Sequence, residues 1–162
     1  HALDTEYYGR ITALDYAMTH DDGQAVNGLG EADVILVGVS RTSKTPTCIY
    51  LANRGIKAAN IPIILDVALP KELFLTTSPL IVGLTNDARN LEQVRRNRLR
   101  MLNEYDETKY IDPEAIAREI TFAKRLFTEQ NWPVVDISRR SIEETAAAIM
   151  NLRTQRYERV GD

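Results

Sequence analysis

The chain has 162 residues, of which 44% are hydrophobic and 27% charged, as expected for one ordinary globular domain. Its net charge of −3 argues against a general nucleic-acid-binding protein, and it contains neither an apolar run long enough to span a bilayer nor a signal-peptide pattern. The single cysteine, Cys48, excludes an internal disulfide and suits a reducing compartment, so we expect a cytoplasmic protein with neither a membrane nor a nucleic acid as its partner.

The first predicted element is a helix over residues 7–20. Apolar side chains recur there at helical spacing, at Tyr8, Ile11, Leu14, Ala17 and Met18. A polar stretch containing Gly23 ends this helix, and a loop with Gly28 and Gly30 follows.

Strand and helix patterns then alternate along the chain. Apolar runs predict strands over residues 33–39, 61–67, 80–84 and 133–137. Helical patterns cover residues 45–53, 87–103, 113–130 and 141–153, and the chain beyond about residue 155 is expected to fray. Asp112 before Pro113 marks one helix start, and Ser141 with Glu144 forms a capping box at another. This alternation predicts parallel β-α-β units in a layered α/β fold.

The loop after the first predicted strand carries the main chemical signal. It consists of Gly38, Val39, Ser40, Arg41, Thr42, Ser43, Lys44 and Thr45. It matches the phosphate-loop pattern G-x-x-x-x-G-K-S/T except that Ser43 replaces the second glycine. In such a loop, main-chain N–H groups and a helix N-terminus face the phosphates, the lysine adds a mobile positive charge, and the last hydroxyl can bind Mg²⁺.

This loop makes the fold prediction more specific. We expect a P-loop-type three-layer sandwich with a mainly parallel sheet of at least four strands. Residues 1–162 would form a single nucleotide-binding domain, with an N-terminal helix and connecting loop over residues 1–30. The alternative, on the motif alone, is an accidental match, because serine adopts the backbone angles open to glycine only at a cost.

A longer stretch, GVSRTSKTPTCIYLANRGIKAANIP from Gly38, resembles the signature of the bifunctional kinase/phosphorylase regulators of pyruvate, phosphate dikinase and phosphoenolpyruvate synthase. Three further segments fit that family: HDDG from His20, VALPKEL from Val67 and DISRRSIEETAA from Asp136. The serine-containing loop is normal in the family. The resemblance covers nearly the whole chain and implies that it is the C-terminal, nucleotide-binding part, without the family's N-terminal region.

The resemblance also implies an activity. Family members transfer the β-phosphate of ADP to a threonine of the target enzyme, releasing AMP and inactivating the target when its neighbouring catalytic histidine is phosphorylated. The reverse activity attacks the phosphothreonine with inorganic phosphate and yields pyrophosphate. The implied partner is therefore pyruvate, phosphate dikinase or phosphoenolpyruvate synthase, in the cytoplasm or a plant plastid stroma. The implied ligands are ADP, inorganic phosphate and Mg²⁺. Whether the chain forms a homo-oligomer is left open by the sequence.

Candidate catalytic residues precede the loop strand. Asp21 and Asp22 are candidates for the carboxylate that orients the acceptor hydroxyl and accepts its proton, and His20 is a second possible base. The alternative is a polar helix terminus that ends at Gly23. Lys44 and the loop backbone would hold the β-phosphate, and Thr45 the Mg²⁺.

Other charged residues are open to several interpretations. Arg139 and Arg140 follow a strand's carboxyl end, where α/β folds bind ligands, so we consider them possible phosphate-binding residues. Asp66, at the end of the second predicted strand, is either a Walker-B-like Mg²⁺ partner or a cap of the turn before Pro70. The predicted helix over residues 87–103 is rich in arginine, and three roles are open for it: a phosphate clamp, a docking face for an acidic partner, or a solvated face. Its arginines are Arg89, Arg95, Arg96, Arg98 and Arg100.

Two other functions remain compatible with the loop. One is an ATP-dependent small-molecule P-loop kinase, which would need a concave acceptor pocket. The other is a non-catalytic nucleotide-sensing module, which would bind a nucleotide without transferring its phosphate.

Overall fold

The computed structural model describes residues 2–102 and 108–161. Its strands are β1 (Val34–Gly38), β2 (Ala58–Pro62), β3 (Leu80–Thr85) and β4 (Val134–Asp136). They form one sheet in the order β2-β1-β3-β4, and every neighbouring pair is parallel. The predicted mainly parallel sheet is therefore confirmed.

The helices are α1 (Ala2–Thr19), α2 (Lys44–Ala52), α3 (Lys71–Leu75), α4 (Ala88–Met101), α5 (Thr108–Ile111), α6 (Pro113–Gln130) and α7 (Ile142–Gly161). Two 3₁₀ turns, Asp21–Gly23 and Leu29–Glu31, lie between α1 and β1. No helix within the described ranges is long and apolar enough to cross a membrane.

The helices cover both faces of the sheet and make three layers. On one face, Val34 and Leu36 of β1 pack in a cluster with residues of α1, α2 and α7. On the other face, Ile35 and Val37 pack in a cluster with residues of α3, α4 and α6. These four side chains are fully buried, and each such burial contributes roughly 1.5–3 kcal/mol to stability. The long apolar run thus forms the central strand because both of its faces are covered.

The caps predicted from the sequence are present. Asp112 accepts a hydrogen bond from the N–H of Ala115, at the start of α6. At α7, the N–H of Glu144 donates to the hydroxyl of Ser141, and the N–H of Ser141 donates to the Glu144 carboxylate. These contacts are local in sequence, which explains why the helix starts were predictable.

The second strand lies earlier than predicted, at Ala58–Pro62 rather than at residues 61–67. After it, the N–H of Ile63 donates to the Gly38 carbonyl, and the chain then turns, with the N–H of Val67 bonded to Ile64 O. Asp66 sits in this turn with a φ of 63° and is exposed. The prediction that Asp66 ends the second strand is therefore wrong, whereas the alternative position in a turn before Pro70 agrees with the structure.

The buried face of α1 also differs from the prediction. Tyr8, Ile11 and Met18 are 66%, 48% and 71% exposed, whereas Ala13 and Ala17 are buried. The small side chains of Ala13 and Ala17 pack in the cluster that includes residues of α2 and β2, while these three larger residues face outward.

Two other helices depart from the prediction. On α4, the arginine-rich helix of the sequence prediction, Arg95 is buried, and Leu102 directly after the helix is exposed. The predicted end of this helix, at residue 103, lies outside the described residues. The last helix, α7, continues to Gly161 rather than fraying from about residue 155.

Candidate active site

The candidate phosphate loop lies at the carboxyl end of the central strand β1, between β1 and α2. From β1 the chain passes through α2 to β2 on one side, and then crosses to β3 on the other side. The loop therefore sits at the switch point of the sheet, where parallel α/β sheets open a crevice for ligands. The local order of strand, loop and helix agrees with the sequence prediction.

Gly38 is required by a close approach of the chain to itself. A Cβ atom at this position would lie 2.7 Å from the Thr42 hydroxyl and 2.8 Å from the Leu84 carbonyl oxygen. The Thr42 hydroxyl in turn donates to the Val39 carbonyl at 2.8 Å, and its side chain is fully buried. The first glycine thus lets the loop fold tightly over the end of β3.

Ser43 occupies the position where the phosphate-loop pattern has its second glycine. It adopts the left-handed conformation, with φ 63° and ψ 26°, and Arg41 does the same with φ 68°. A non-glycine residue in this region costs on the order of 1 kcal/mol. Ser43 therefore takes the backbone conformation that glycine would take, which answers the steric doubt raised by the sequence.

Lys44 is folded back against the loop. Its ammonium group donates to the Val39 carbonyl at 2.8 Å, and the side chain is only 6% exposed. Burial lowers the pKa of Lys44 to about 8, although the nearby Asp22 carboxylate acts to raise it. A buried cation in a loop of main-chain donors is suited to meet an anion, which would replace the lost hydration.

The turn after α1 is bonded directly to the start of α2. The Thr45 hydroxyl donates to Asp21 Oδ1 at 2.7 Å. The Asn60 amide donates to the same oxygen at 2.6 Å, and its own oxygen accepts from the Asp22 N–H at 3.0 Å. Asn60, 1% exposed on β2, therefore holds both aspartates beside the loop.

His20 lies outside this cluster. Its two ring nitrogens each lie 3.0 Å from a main-chain oxygen, of Tyr16 and Asn27, and the ring stacks on Tyr16 at 3.9 Å. It is 8% exposed and does not line the cavity described below. His20 thus supports the turn that carries Asp21 and Asp22, and this position does not favour its predicted role as a base.

A cavity of about 620 Å³ opens over the loop. Its lining includes Asp21, Asp22, Ser40, Arg41, Thr42, Ser43, Lys44 and Thr45. The structure thus brings six of the eight predicted loop residues and both predicted carboxylates to one cavity. Other lining residues were not predicted: Pro46, Pro62, Ile63, Ile64, Val94 and Glu119. Gly38 and Val39 lie outside the lining, and Val39 contributes through the carbonyl that Lys44 and Thr42 bind.

The predicted arginines outside the loop are not brought to this cavity. Arg139 and Arg140 are exposed beyond β4, which is two strands away from β1, and they do not line it. On α4, Arg96 pairs with Glu92 at 2.9 Å on the same helix, and Arg95 is buried against Glu119 at 2.8 Å. The remaining predicted arginines of α4 are exposed, namely Arg89, Arg98 and Arg100. The arginine-rich helix is therefore not one continuous phosphate clamp.

Sequence reasoning missed Asn60 and Glu119. Asn60 is a polar residue within a strand that is mostly buried and otherwise apolar, which is a usable signal once the strand is placed correctly. Glu119 had no such signal, because α6 carries several charged residues and only the packing of α6 against α4 brings this one to the cavity wall.

Residues 1–150 match the family model described as Kinase/pyrophosphorylase. The chain belongs to this kinase/pyrophosphorylase family. A relative from Caulobacter vibrioides is 59% identical over 152 residues, which are 94% of this chain and 48% of that protein. Relatives from Chelativorans sp. and Maricaulis maris are each 57% identical, over 94% and 93% of this chain and 56% and 54% of their own length.

All three relatives are named as pyruvate, phosphate dikinase regulatory proteins. The chain spans about half the length of these curated relatives. The resemblance inferred from the residues is thus confirmed at the level of the family.

Proposed function

We propose that this chain carries the phosphoryl-transfer site of an ADP-dependent protein serine/threonine phosphotransferase. The enzyme would inactivate pyruvate, phosphate dikinase or phosphoenolpyruvate synthase by phosphorylating a threonine, and would reverse this with inorganic phosphate. One observation carries the proposal: Lys44 and its loop share a cavity with Asp21 and Asp22. Membership of the kinase/pyrophosphorylase family and the names of the relatives support it.

In the forward reaction, the threonine hydroxyl oxygen would attack the β-phosphorus of ADP. The bond from that phosphorus to the bridging oxygen breaks, AMP leaves, and the hydroxyl proton passes to a carboxylate. We assign this acceptor role to Asp22, which lines the cavity and is exposed, because Asp21 Oδ1 already accepts bonds from Thr45 and Asn60. Lys44 and the loop N–H groups would stabilise the charge on the transferred phosphoryl group.

In the reverse reaction, inorganic phosphate would attack the phosphothreonine phosphorus. The bond from that phosphorus to the threonine oxygen breaks, the oxygen regains a proton from Asp22, and pyrophosphate leaves. The same carboxylate thus serves as base in one direction and as acid in the other.

The donor set beside the loop fits a magnesium ion. Thr45 Oγ1 and Asp21 Oδ1 are 2.7 Å apart, and Mg²⁺ combines one or two such protein oxygens with phosphate oxygens. Thr45 and Asp21 would hold the ion, which when bound would supply neutralisation of the phosphate charge.

Calorimetric titration of the chain with ADP, ATP and AMP in the presence of Mg²⁺ tests the proposal first. We expect binding of ADP in preference to ATP, lost in Lys44→Ala and kept in Arg140→Ala, which lies outside the cavity. Transfer of phosphate from β-labelled ADP to the phosphohistidine form of either target enzyme is the second measurement.

Four outcomes of these experiments would count against the proposal. ATP preference with transfer to small acceptors would indicate a small-molecule kinase instead. Binding without transfer, even in the longer protein, would indicate a sensing module. A folded chain that binds none of the nucleotides would remove the assignment of the loop. Equal binding by the wild type and Lys44→Ala would remove the role of Lys44.

A further inference from the structure

Arg95 is a fully buried arginine behind the wall of the cavity. It lies in the second half of α4, and its side chain is 1% exposed. Its two terminal nitrogens donate to the two carboxylate oxygens of Glu119, at 2.8 Å and 3.1 Å. This is the fork-to-fork geometry that fixes an arginine in both position and orientation.

The same guanidinium group reaches two main-chain carbonyls. Nη2 donates to Ser40 O at 3.3 Å, and Nη1 donates to Tyr110 O at 3.0 Å. The group also lies over the Tyr110 ring, 4.8 Å from its centre. Arg95 therefore ties the candidate phosphate loop to α4, α5 and α6 at once, and two of its partners, Ser40 and Glu119, line the cavity.

The contact of Arg95 with the Ser40 carbonyl also fixes the orientation of the following N–H group. In a planar trans peptide the C=O and the following N–H point in opposite directions. Because the Ser40 carbonyl is turned toward Arg95, the N–H of Arg41 is turned the other way. That N–H belongs to the part of the loop in which Arg41 and Ser43 hold left-handed conformations.

The contact of Arg95 with Glu119 also changes the electrostatics of the cavity wall. A carboxylate in the wall of an anion site would repel a phosphate, and a bidentate guanidinium partner compensates its charge. Without Arg95, the cavity would present a further uncompensated negative charge beside the loop.

We propose that Arg95 is a positioning residue for diphosphate binding: it orients the Ser40–Arg41 peptide and neutralises Glu119. The inference rests on the proposed function for its ligand, but its two geometric claims concern this chain alone. The competing explanation is that the Arg95–Glu119 pair only stabilises the fold. Buried ion pairs contribute little to stability on average, which argues against that explanation.

The neighbouring pair offers a matched control. Arg96 bonds Glu92 at 2.9 Å on the same helix, its side chain is 43% exposed, and neither residue lines the cavity. Arg96→Met therefore removes one arginine and one ion pair from α4 without touching the loop.

The test compares Arg95→Met, Arg95→Lys and Arg96→Met in the intact chain. Calorimetry with pyrophosphate and with ADP should show a Kd raised about tenfold or more in Arg95→Met, because the Ser40–Arg41 peptide loses its orienting bond and the charge of Glu119 is left uncompensated. Arg95→Lys should fall in between, because an ammonium cannot bridge Glu119 and both carbonyls. Arg96→Met should stay within about twofold of the wild type.

Amide hydrogen exchange across residues 38–45 provides a second readout. Exchange should accelerate in the Arg95 variants and not in Arg96→Met. A folded Arg95→Met that binds pyrophosphate like the wild type and shows unchanged exchange would overturn the inference. If Arg95→Met does not fold, Arg95→Lys carries the same comparison. A wild type that binds neither ligand would refute the proposed function, whereas the exchange data would still decide whether Arg95 positions the loop.

Discussion

The Thr45 hydroxyl donates a hydrogen bond to the carboxylate of Asp21 across 2.7 Å, although the two residues are 24 positions apart. This contact joins the turn after α1 to the first residues of α2. It places an acidic turn beside a basic loop, and the arrangement of this site leads to five predictions.

Substituting the two aspartates should separate binding from transfer. Asp22→Asn removes the proposed proton acceptor but keeps the size of the side chain, so transfer should fall about 10²- to 10⁴-fold. Asp21→Asn should also lower transfer strongly, because Asp21 bonds Thr45 and is a proposed Mg²⁺ partner. ADP binding, measured by calorimetry, should persist in both variants. Full transfer activity in both would exclude a catalytic role for this turn.

Asn60 should be essential for the geometry of the acidic turn. Asn60→Ala removes the amide that bonds Asp21 Oδ1 and the Asp22 N–H, and leaves that N–H without its partner. We expect a loss of roughly 1–3 kcal/mol in the free energy of unfolding and a large loss of transfer. Chemical denaturation measures the first, and Asn53→Ala, which removes an exposed amide bonded to Ile49 O, is the control. Equal stability of the two variants would contradict this role.

Gly38 should tolerate no side chain. In Gly38→Ala the added methyl group would lie 2.8 Å from the Leu84 carbonyl oxygen, so the loop or β3 must shift. A destabilisation of about 1–3 kcal/mol and weakened ADP binding are expected. Gly30→Ala is the matched control, because a Cβ atom there has no neighbour within 4 Å. Thermal melts of both variants make the comparison, and a Gly38→Ala protein as stable as Gly30→Ala would be inconsistent with the described loop.

The pH dependence of binding should follow Lys44. Burial lowers its pKa from 10.5 to about 8, so the folded protein loses this charge as the pH rises through 8. ADP affinity should therefore weaken between pH 7 and 9. Lys44→Met should bind weakly and lose this dependence. Calorimetry at several pH values decides the point, and an unchanged ADP affinity from pH 7 to 9 in the wild type would show that the charge of Lys44 does not hold the nucleotide.

The lowered pKa of Lys44 affects folding stability in the opposite direction from ADP affinity. Between pH 8 and 10.5 the unfolded chain binds more protons at Lys44 than the folded chain does, so this residue's contribution to folding stability becomes more favourable as the pH rises through that window. Urea denaturation measures the unfolding free energy of the wild type and of Lys44→Met. The wild-type value minus the Lys44→Met value should increase as the pH rises from 8 to 10.5.

The sequence by itself determined the features that depend on neighbours along the chain. The apolar run before Gly38, the alternation of strands with helices, and the caps at Asp112 and Ser141 each follow from interactions within a few residues. The phosphate-loop pattern was also local, so the position of Lys44 and Thr45 at the start of a helix was predictable.

Only the tertiary structure decided which distant groups meet at the loop. Asn60 and Glu119 reach the site because β2 pairs with β1 and α6 packs on α4, and no local pattern encodes those partners. The same holds for the exclusion of His20, Arg139 and Arg140 from the cavity. Helical spacing shows which residues share a face, but the surfaces that pack against the helix decide which face is buried. For that reason a buried Arg95 could not be told from its exposed neighbours on α4.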